Sequence, residues 1–264
     1  LQIYQNEHGT PASVAAPGIR RLPFFFPTAA IQVDNPPTRL DQLNDITYFI
    51  YGTPETPGTY SDAGAEHNQI LAGLALAGND ERAILRRAWW EDDGNFNYVV
   101  YELHLDRRFT KPKRGVRPKG DTIFGGFARY LGHDIGGSIF STERKIAFNM
   151  YWQVISPPTR DYMMYIHLTD ANGKVWEKWD GPVSWTNDGN YYSTLFWQTG
   201  EYISDSRIIR LTSHDTPVGE GYKLVIGLYD LQTGERVPIT VDGQAAGNGF
   251  TIPEKISVID EPPS

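Results

Sequence analysis

From Asp121 onward the chain runs in short apolar stretches, cut by Gly, Pro, Asn and Asp roughly every ten residues, with no helical spacing between them. Ile146 to Val154 is one such run, ended by Pro157-Pro158, and Asp161 to Thr169 is the next. Asp170-Ala171-Asn172-Gly173 then reads as a hairpin turn into Lys174–Trp179. Ser204–Thr212, Tyr222–Tyr229, a Gln232-Thr233-Gly234 turn and Arg236–Val241 continue the pattern. Short strands joined by tight turns bury one face each, and the economical way to do so is to stack two antiparallel sheets. Residues 121–260 are therefore expected to form an antiparallel β-sandwich, Ig-like or jelly-roll-like. Gly (26) and Pro (18) supply the turns this architecture needs.

The N-terminal part differs. Leu22-Pro23-Phe24-Phe25-Phe26-Pro27 and Asn35-Pro36-Pro37 place prolines around apolar residues, which excludes a helix and disfavours a central strand. Residues 1–44 are expected to be an extended arm. Phe24, Phe25 and Phe26 are its candidate partner-binding residues, with packing on the rest of this chain as the plainer use. Residues 45–109 read as a small α/β unit. A strand at Asp45–Tyr51 is followed by a helix at Ala65–Ala77, then two strands flanking the Asp-Gly turn of residues 91–95. Residues 110–120, with five Lys and Arg among Pro and Gly, read as a basic linker.

With 24 basic and 32 acidic residues the net charge is −8, which opposes binding to a nucleic-acid backbone. The absence of cysteine removes disulfides, thiolate metal sites and cysteine nucleophiles. Gly52–Gly58 lacks both the dinucleotide-binding glycine pattern and a P-loop lysine, and its prolines remove the N–H donors a phosphate needs. The six histidines show no H-x-x-x-H or H-E-x-x-H spacing, and Glu91–Asn97 departs from the EF-hand order, so neither a metal nor a cofactor is expected. His167, mid-strand beside Tyr165, reads as a hydrogen-bonded packing residue. The chain opens at Leu1 without Met or a basic-then-apolar leader, as expected of a processed, excised or partial polypeptide.

Several phrases in the C-terminal part carry a resemblance. They are Gly120-Asp121-Thr122-Ile123-Phe124 leading to Tyr130-Leu131-Gly132-His133-Asp134, Met150-Tyr151-Trp152-Gln153, and Tyr165-Ile166-His167-Leu168-Thr169-Asp170. Trp197-Gln198-Thr199-Gly200-Glu201, Gly227-Leu228-Tyr229-Asp230 and Thr233-Gly234-Glu235-Arg236-Val237-Pro238 complete the set. Together they resemble the C-terminal extracytoplasmic β-sandwich, with its preceding small α/β unit, of bacterial polytopic membrane glycosyltransferases related to dolichyl-phosphate-mannose mannosyltransferases. The resemblance implies an accessory module outside the membrane, periplasmic or at the cell surface. Its implied partner is a membrane protein or a membrane-embedded part of the same polypeptide. No catalytic residue carries over, because the family's acidic motif lies among membrane helices that have no counterpart here.

Function is thus expected to be non-catalytic, carbohydrate-binding or scaffolding, with a cell-envelope glycan as candidate ligand. Flat rings stack on sugar faces while amides and carboxylates bind hydroxyls. Trp176, Trp179, Trp185 and Tyr191, with Asn187 and Asp188, are the candidate ligand-binding set, although such rings more often fill a sandwich core or a subunit contact. A purely structural subunit docking through its aromatic arm is the first alternative. A glycoside hydrolase is the second, drawing two carboxylates from Glu143, Glu177, Asp180, Asp188, Glu201 and Asp205.

Overall fold

The computed structural model describes residues 7, 12–16, 30–32, 40–52, 83–90, 96–112, 118, 120–142, 144–184, 191–212 and 215–260. The chain divides into two compact units, residues 1–108 and 109–264. The expected helix at Ala65–Ala77, the turn at 91–95 and Phe24–Phe26 lie outside the described residues.

The first unit contains a five-stranded sheet of β1 (Ser13–Ala15), β2 (Ala30–Gln32), β3 (Tyr48–Gly52), β4 (Ala83–Trp90) and β5 (Phe96–Leu103), in the order β2-β1-β3-β5-β4. β1 lies parallel to both β2 and β3, whereas β3, β5 and β4 pair antiparallel. The stretch 1–44, expected as an extended arm, thus gives this sheet two strands. Its Ala12, Val14, Ala15 and Ala16 are buried, as befits a central parallel strand covered on both faces. The small side chains of Ser13-Val14-Ala15-Ala16, rather than the prolines farther along, decide the local structure. Arg108 closes the unit: its buried guanidinium donates to Asn44 Oδ1 at 2.6 Å and to the Leu105 carbonyl at 3.1 Å.

The second unit is a β-sandwich. One sheet comprises β8 (Ile139–Phe140), β10 (Tyr162–Thr169), β11 (Val175–Lys178), β14 (Gly219–Asp230) and β18 (Ile256–Val258), with β12 (Gly181–Pro182) on β10 and β17 (Phe250–Thr251) on β14. The other comprises β6 (Thr122–Phe124), β7 (Ala128–Ile135), β9 (Ile146–Val154), β13 (Tyr202–Ile209), β15 (Ile239–Val241) and β16 (Gln244–Ala245), ordered β13-β9-β7-β6-β15-β16. Pairing in this sheet is antiparallel throughout; β18 and β8 form a parallel pair in the seven-stranded one.

Strand β9 shows how sequence becomes core. Ile146, Phe148, Met150, Trp152 and Val154 are buried, and the alternating Ala147, Asn149, Tyr151 and Gln153 stay open to the other side. From the opposite sheet come Met164, Ile166 and Leu168 of β10 and Leu224, Ile226 and Leu228 of β14, all essentially inaccessible. At the centre Trp152 meets Phe124 edge-on at 5.0 Å and Tyr130 at 5.0 Å, and Phe250 of the facing sheet reaches Tyr130 at 5.3 Å. Each large apolar side chain buried here contributes about 1.5–3 kcal/mol.

Several polar groups in this interior are paired across elements. His133 receives or gives a hydrogen bond at Tyr130 Oη (2.7 Å) and at Glu254 Oε2 (2.8 Å). Asp205 and Arg207, two apart on β13, face inward together. Arg207 Nε and Nη2 reach the two Asp205 oxygens at 3.1 and 3.0 Å, and Nη2 also donates to the Pro182 carbonyl of the opposite sheet at 2.5 Å. This ion pair therefore ties the two sheets at their edge. Asp230, at the end of β14, accepts from Arg160 Nη1 at 2.7 Å and from the Gln232 and Thr233 amides at 2.7 and 3.0 Å. The Arg160 hydrogen bond, with help from those amides, holds its carboxyl down at about 2.

Arg207→Met leaves Asp205 buried without its counter-charge and is expected to cost about 3–5 kcal/mol in urea denaturation. The double change Arg207→Met with Asp205→Leu should recover most of that loss. Equal stability of the single variant and the parent would show the pair to be inert.

Candidate functional site

The outward face of the six-stranded sheet holds a connected row of polar side chains. Strand pairing puts Ala245, Thr240, Ile123, Arg129, Gln153 and Tyr202 in one row across all six strands. Beside that row lie Gly132, Tyr151 and Ser204, then Asp134, Asn149 and Ser206. Period-two alternation creates this face: every residue here except Ala245 is the neighbour of one that is buried.

Hydrogen bonds link the row. Arg129 Nε and Nη2 bind the two oxygens of Asp121 at 2.8 and 3.3 Å, and Arg129 Nη1 donates to Gln153 Oε1 at 3.1 Å. Gln153 Nε2 in turn points to Tyr202 Oη at 3.4 Å. In the next rows the Tyr151 hydroxyl donates to Asp134 Oδ2 at 2.8 Å. Tyr151 and Asp134 are diagonal neighbours on adjacent strands, about 7–8 Å apart at the backbone, so this bond draws the phenol ring down across β7. A bulge in β7 makes room for it. Leu131 is the extra residue between the Tyr130–Trp152 and Gly132–Tyr151 pairs, and Gly132, at φ 131°, presents no side chain opposite the ring. The result is a tyrosine held at its hydroxyl, within a field of half-buried to exposed amide, guanidinium, carboxylate and hydroxyl groups.

The aromatic set expected from sequence is dispersed. Trp176 donates its indole N–H to Asp170 Oδ2 at 3.1 Å, and the Lys174 ammonium sits 3.4 Å over its ring. Trp179 pairs its amide with the Ile166 carbonyl, donates its indole N–H to the Arg210 carbonyl at 2.9 Å, and meets Phe140 edge-on. Tyr191 donates to Asp161 Oδ2 at 2.8 Å; burial first, then that hydrogen bond, push its phenol up to about 12. Asp161 and Asp170 bracket β10, nine residues apart, so Tyr191 and Trp176 sit at opposite ends of a strand about 30 Å long. The structure does not bring those two together. Trp185, Asn187 and Asp188 lie outside the described residues.

The carboxylates considered for hydrolysis are engaged in the fold. Glu177 is buried and accepts from the Thr212 amide and hydroxyl at 3.0 and 2.6 Å. Glu201, equally buried, accepts from the Gln198 amide at 3.0 Å, and Asp205 is held by Arg207. Glu143 and Asp188 lie outside the described residues. Asp180 belongs to a cluster on the outer face of the seven-stranded sheet. There Tyr165 lies against Gly227, the Arg236 guanidinium stands 4.5 Å over the Tyr165 ring, and His167 Nε2 is 3.3 Å from Asp180 Oδ1. Tyr165 and His167 are buried in this cluster, while Asp180 and Arg236 lie at its exposed rim. His167 is thus a packing residue with a carboxylate neighbour.

No family model matches the chain, and no curated protein does. Among solved structures, the C-terminal domain of Wzt is similar at 14% identity, covering 59% of this chain and 86% of that one, with a TM-score of 0.38. The CARDB domain of the PF1109 protein from Pyrococcus furiosus, in complex with di-metal ions, is similar at 11% identity over 56% of this chain and 98% of its own, TM-score 0.25. A domain of the outer membrane lipoprotein Omp28 from Porphyromonas gingivalis is similar at 15% identity over 58% of this chain and 100% of its own, TM-score 0.24. None of the three fixes a function for this chain.

Burial lowers the His167 pKa below 6.5, Asp180 works against that, and Arg236 and Lys178 reinforce it. The folded state therefore binds this proton less readily than the unfolded chain, so its contribution is present above pH 6.5 and is lost as pH falls below it. The thermal stability of the parent should fall as pH drops from 7 to 5, and His167→Gln should flatten that dependence. An unchanged slope in the variant would assign the acid sensitivity elsewhere.

Proposed function

We propose that this chain is a non-catalytic extracytoplasmic accessory module that binds carbohydrate through its β-sandwich. It works beside a membrane glycosyltransferase or another membrane complex. The observation that carries the reading is the outward face of the six-stranded sheet, where the Tyr151 hydroxyl is held by Asp134, and Arg129, Gln153 and Tyr202 form one polar row. A sugar hydroxyl both donates and accepts, so it is matched by neighbouring amide, carboxylate and phenol groups. The apolar C–H face of a sugar ring is matched by a flat aromatic one. Groups held in place by one another lose little freedom when a ligand arrives, which favours binding over rearrangement.

The family resemblance supports the accessory role and the location outside the membrane. Among the described residues no helix is long and apolar enough to cross a membrane. The proposed partner is a membrane protein or a membrane-embedded part of the same polypeptide, with Phe24, Phe25 and Phe26 as its docking residues. Trp176, Trp179, Trp185, Tyr191, Asn187 and Asp188 are secondary candidates for ligand contact.

Calorimetric titration with purified cell-envelope glycans tests the proposal. Tyr151→Ala and Gln153→Ala are each expected to weaken binding about tenfold or more, equivalent to about 1.4 kcal/mol, without moving the thermal transition appreciably. Heats indistinguishable from dilution for every glycan would overturn the reading.

A further inference from the structure

The charges of the outward face are arranged for one kind of saccharide. Arg129 is its only cation among the described residues of the rows above, and Asp121 already holds it with both oxygens. Asp134, bonded to the Tyr151 hydroxyl, adds a negative charge. Asp121, Arg129 and Asp134 together sum to −1, on a chain whose net charge is −8. An acidic sugar approaching this face meets repulsion and finds its one guanidinium already occupied. A neutral sugar meets no such repulsion and finds groups that can share hydrogen bonds.

The linked groups also have a direction. Arg129, Gln153 and Tyr202 lie in register on β7, β9 and β13, and Ile123 extends the line onto β6. Four neighbouring strands span about 14 Å. At the midline of this row Tyr151 lies alongside, on the side where Gly132 removes a wall. The strip is thus long and ends at the edge strand β13, where Tyr202 is half-buried and Ser206, two rows along, is exposed. A pocket for a single terminal sugar would need a closed end, and none of these rows provides one.

We infer that the ligand is a neutral, unbranched glycan lying across the strands along Ile123, Arg129, Gln153 and Tyr202, with Tyr151 stacked beneath one of its rings. This rests on the reading of the face as a carbohydrate site and narrows it to a chemical class and a binding direction.

The experiment is a calorimetric series on the full chain. It uses neutral linear oligosaccharides from mono- to hexasaccharide and uronic-acid oligosaccharides of the same lengths, each at low and high salt. Affinity for the neutral series should rise by tenfold or more up to about three sugar units, the reach of the strip, and then level off. It should be insensitive to salt, and the uronates should bind at least tenfold more weakly. Ser206→Lys, an exposed substitution compatible with folding, should narrow the gap between uronate and neutral chains severalfold.

Equal affinity for mono- and hexasaccharide would overturn the inference, as would a preference for uronates by the parent. If Tyr151→Ala still abolishes binding in either case, the module reading survives. Binding that persists in both Tyr151→Ala and Gln153→Ala places the ligand elsewhere and overturns the inference. Silence toward every saccharide overturns both readings.

Discussion

Trp152, wedged between Phe124 and Tyr130 in the sandwich interior, fixes the register of β9 against its neighbours, and the chemistry of the outer face follows from that register. Because side chains alternate with a period of two, a slip of one residue would bury Asn149, Tyr151 and Gln153 and expose Phe148, Met150 and Trp152. Burying three polar side chains without designed partners while exposing three large apolar ones is prohibitive. The core thus selects one pairing, and that pairing aligns Arg129, Gln153 and Tyr202.

The interior is not purely apolar, and its polar groups act as locks between sheets. Arg207 reaches from β13 to the Pro182 carbonyl of the facing sheet while satisfying Asp205. His133 links Tyr130 to Glu254, which precedes the last strand. Such bonds add little net stability against apolar replacements, but they are costly to mismatch. They favour this sheet-to-sheet alignment over a shifted one, which apolar contact alone tolerates.

The sandwich was legible in the sequence because its strands alternate cleanly and end at Gly, Pro and Asp. The hairpin at Asp170–Gly173 and strands at 146–154 and 162–169 fall where the pattern puts them. The strands at Ser13–Ala15 and Ala30–Gln32 were not legible. Three residues carry almost no periodicity, and their pairing with β3 is a tertiary effect. For the site, aromatic density pointed to the stretch from Trp176 to Trp197, yet density along the chain ignores direction. Trp176, Trp179 and Tyr191 are each tied to a different backbone or carboxylate anchor. The signal that marks the outer face is subtler: Asn149, Tyr151 and Gln153 interleave with buried residues, and Tyr202, Ser204 and Ser206 do the same on β13. Their union depends on long-range register, which one strand read alone cannot disclose.

The bulge at Leu131 has an evolutionary corollary. By inserting one extra residue into β7, it lets Tyr130 and His133 serve the interior while Arg129 and Asp134 serve the exterior. The exterior groups hold one another rather than the core. Mutation can therefore change the polar pattern of this surface in small steps while the hidden half of every strand stays constant.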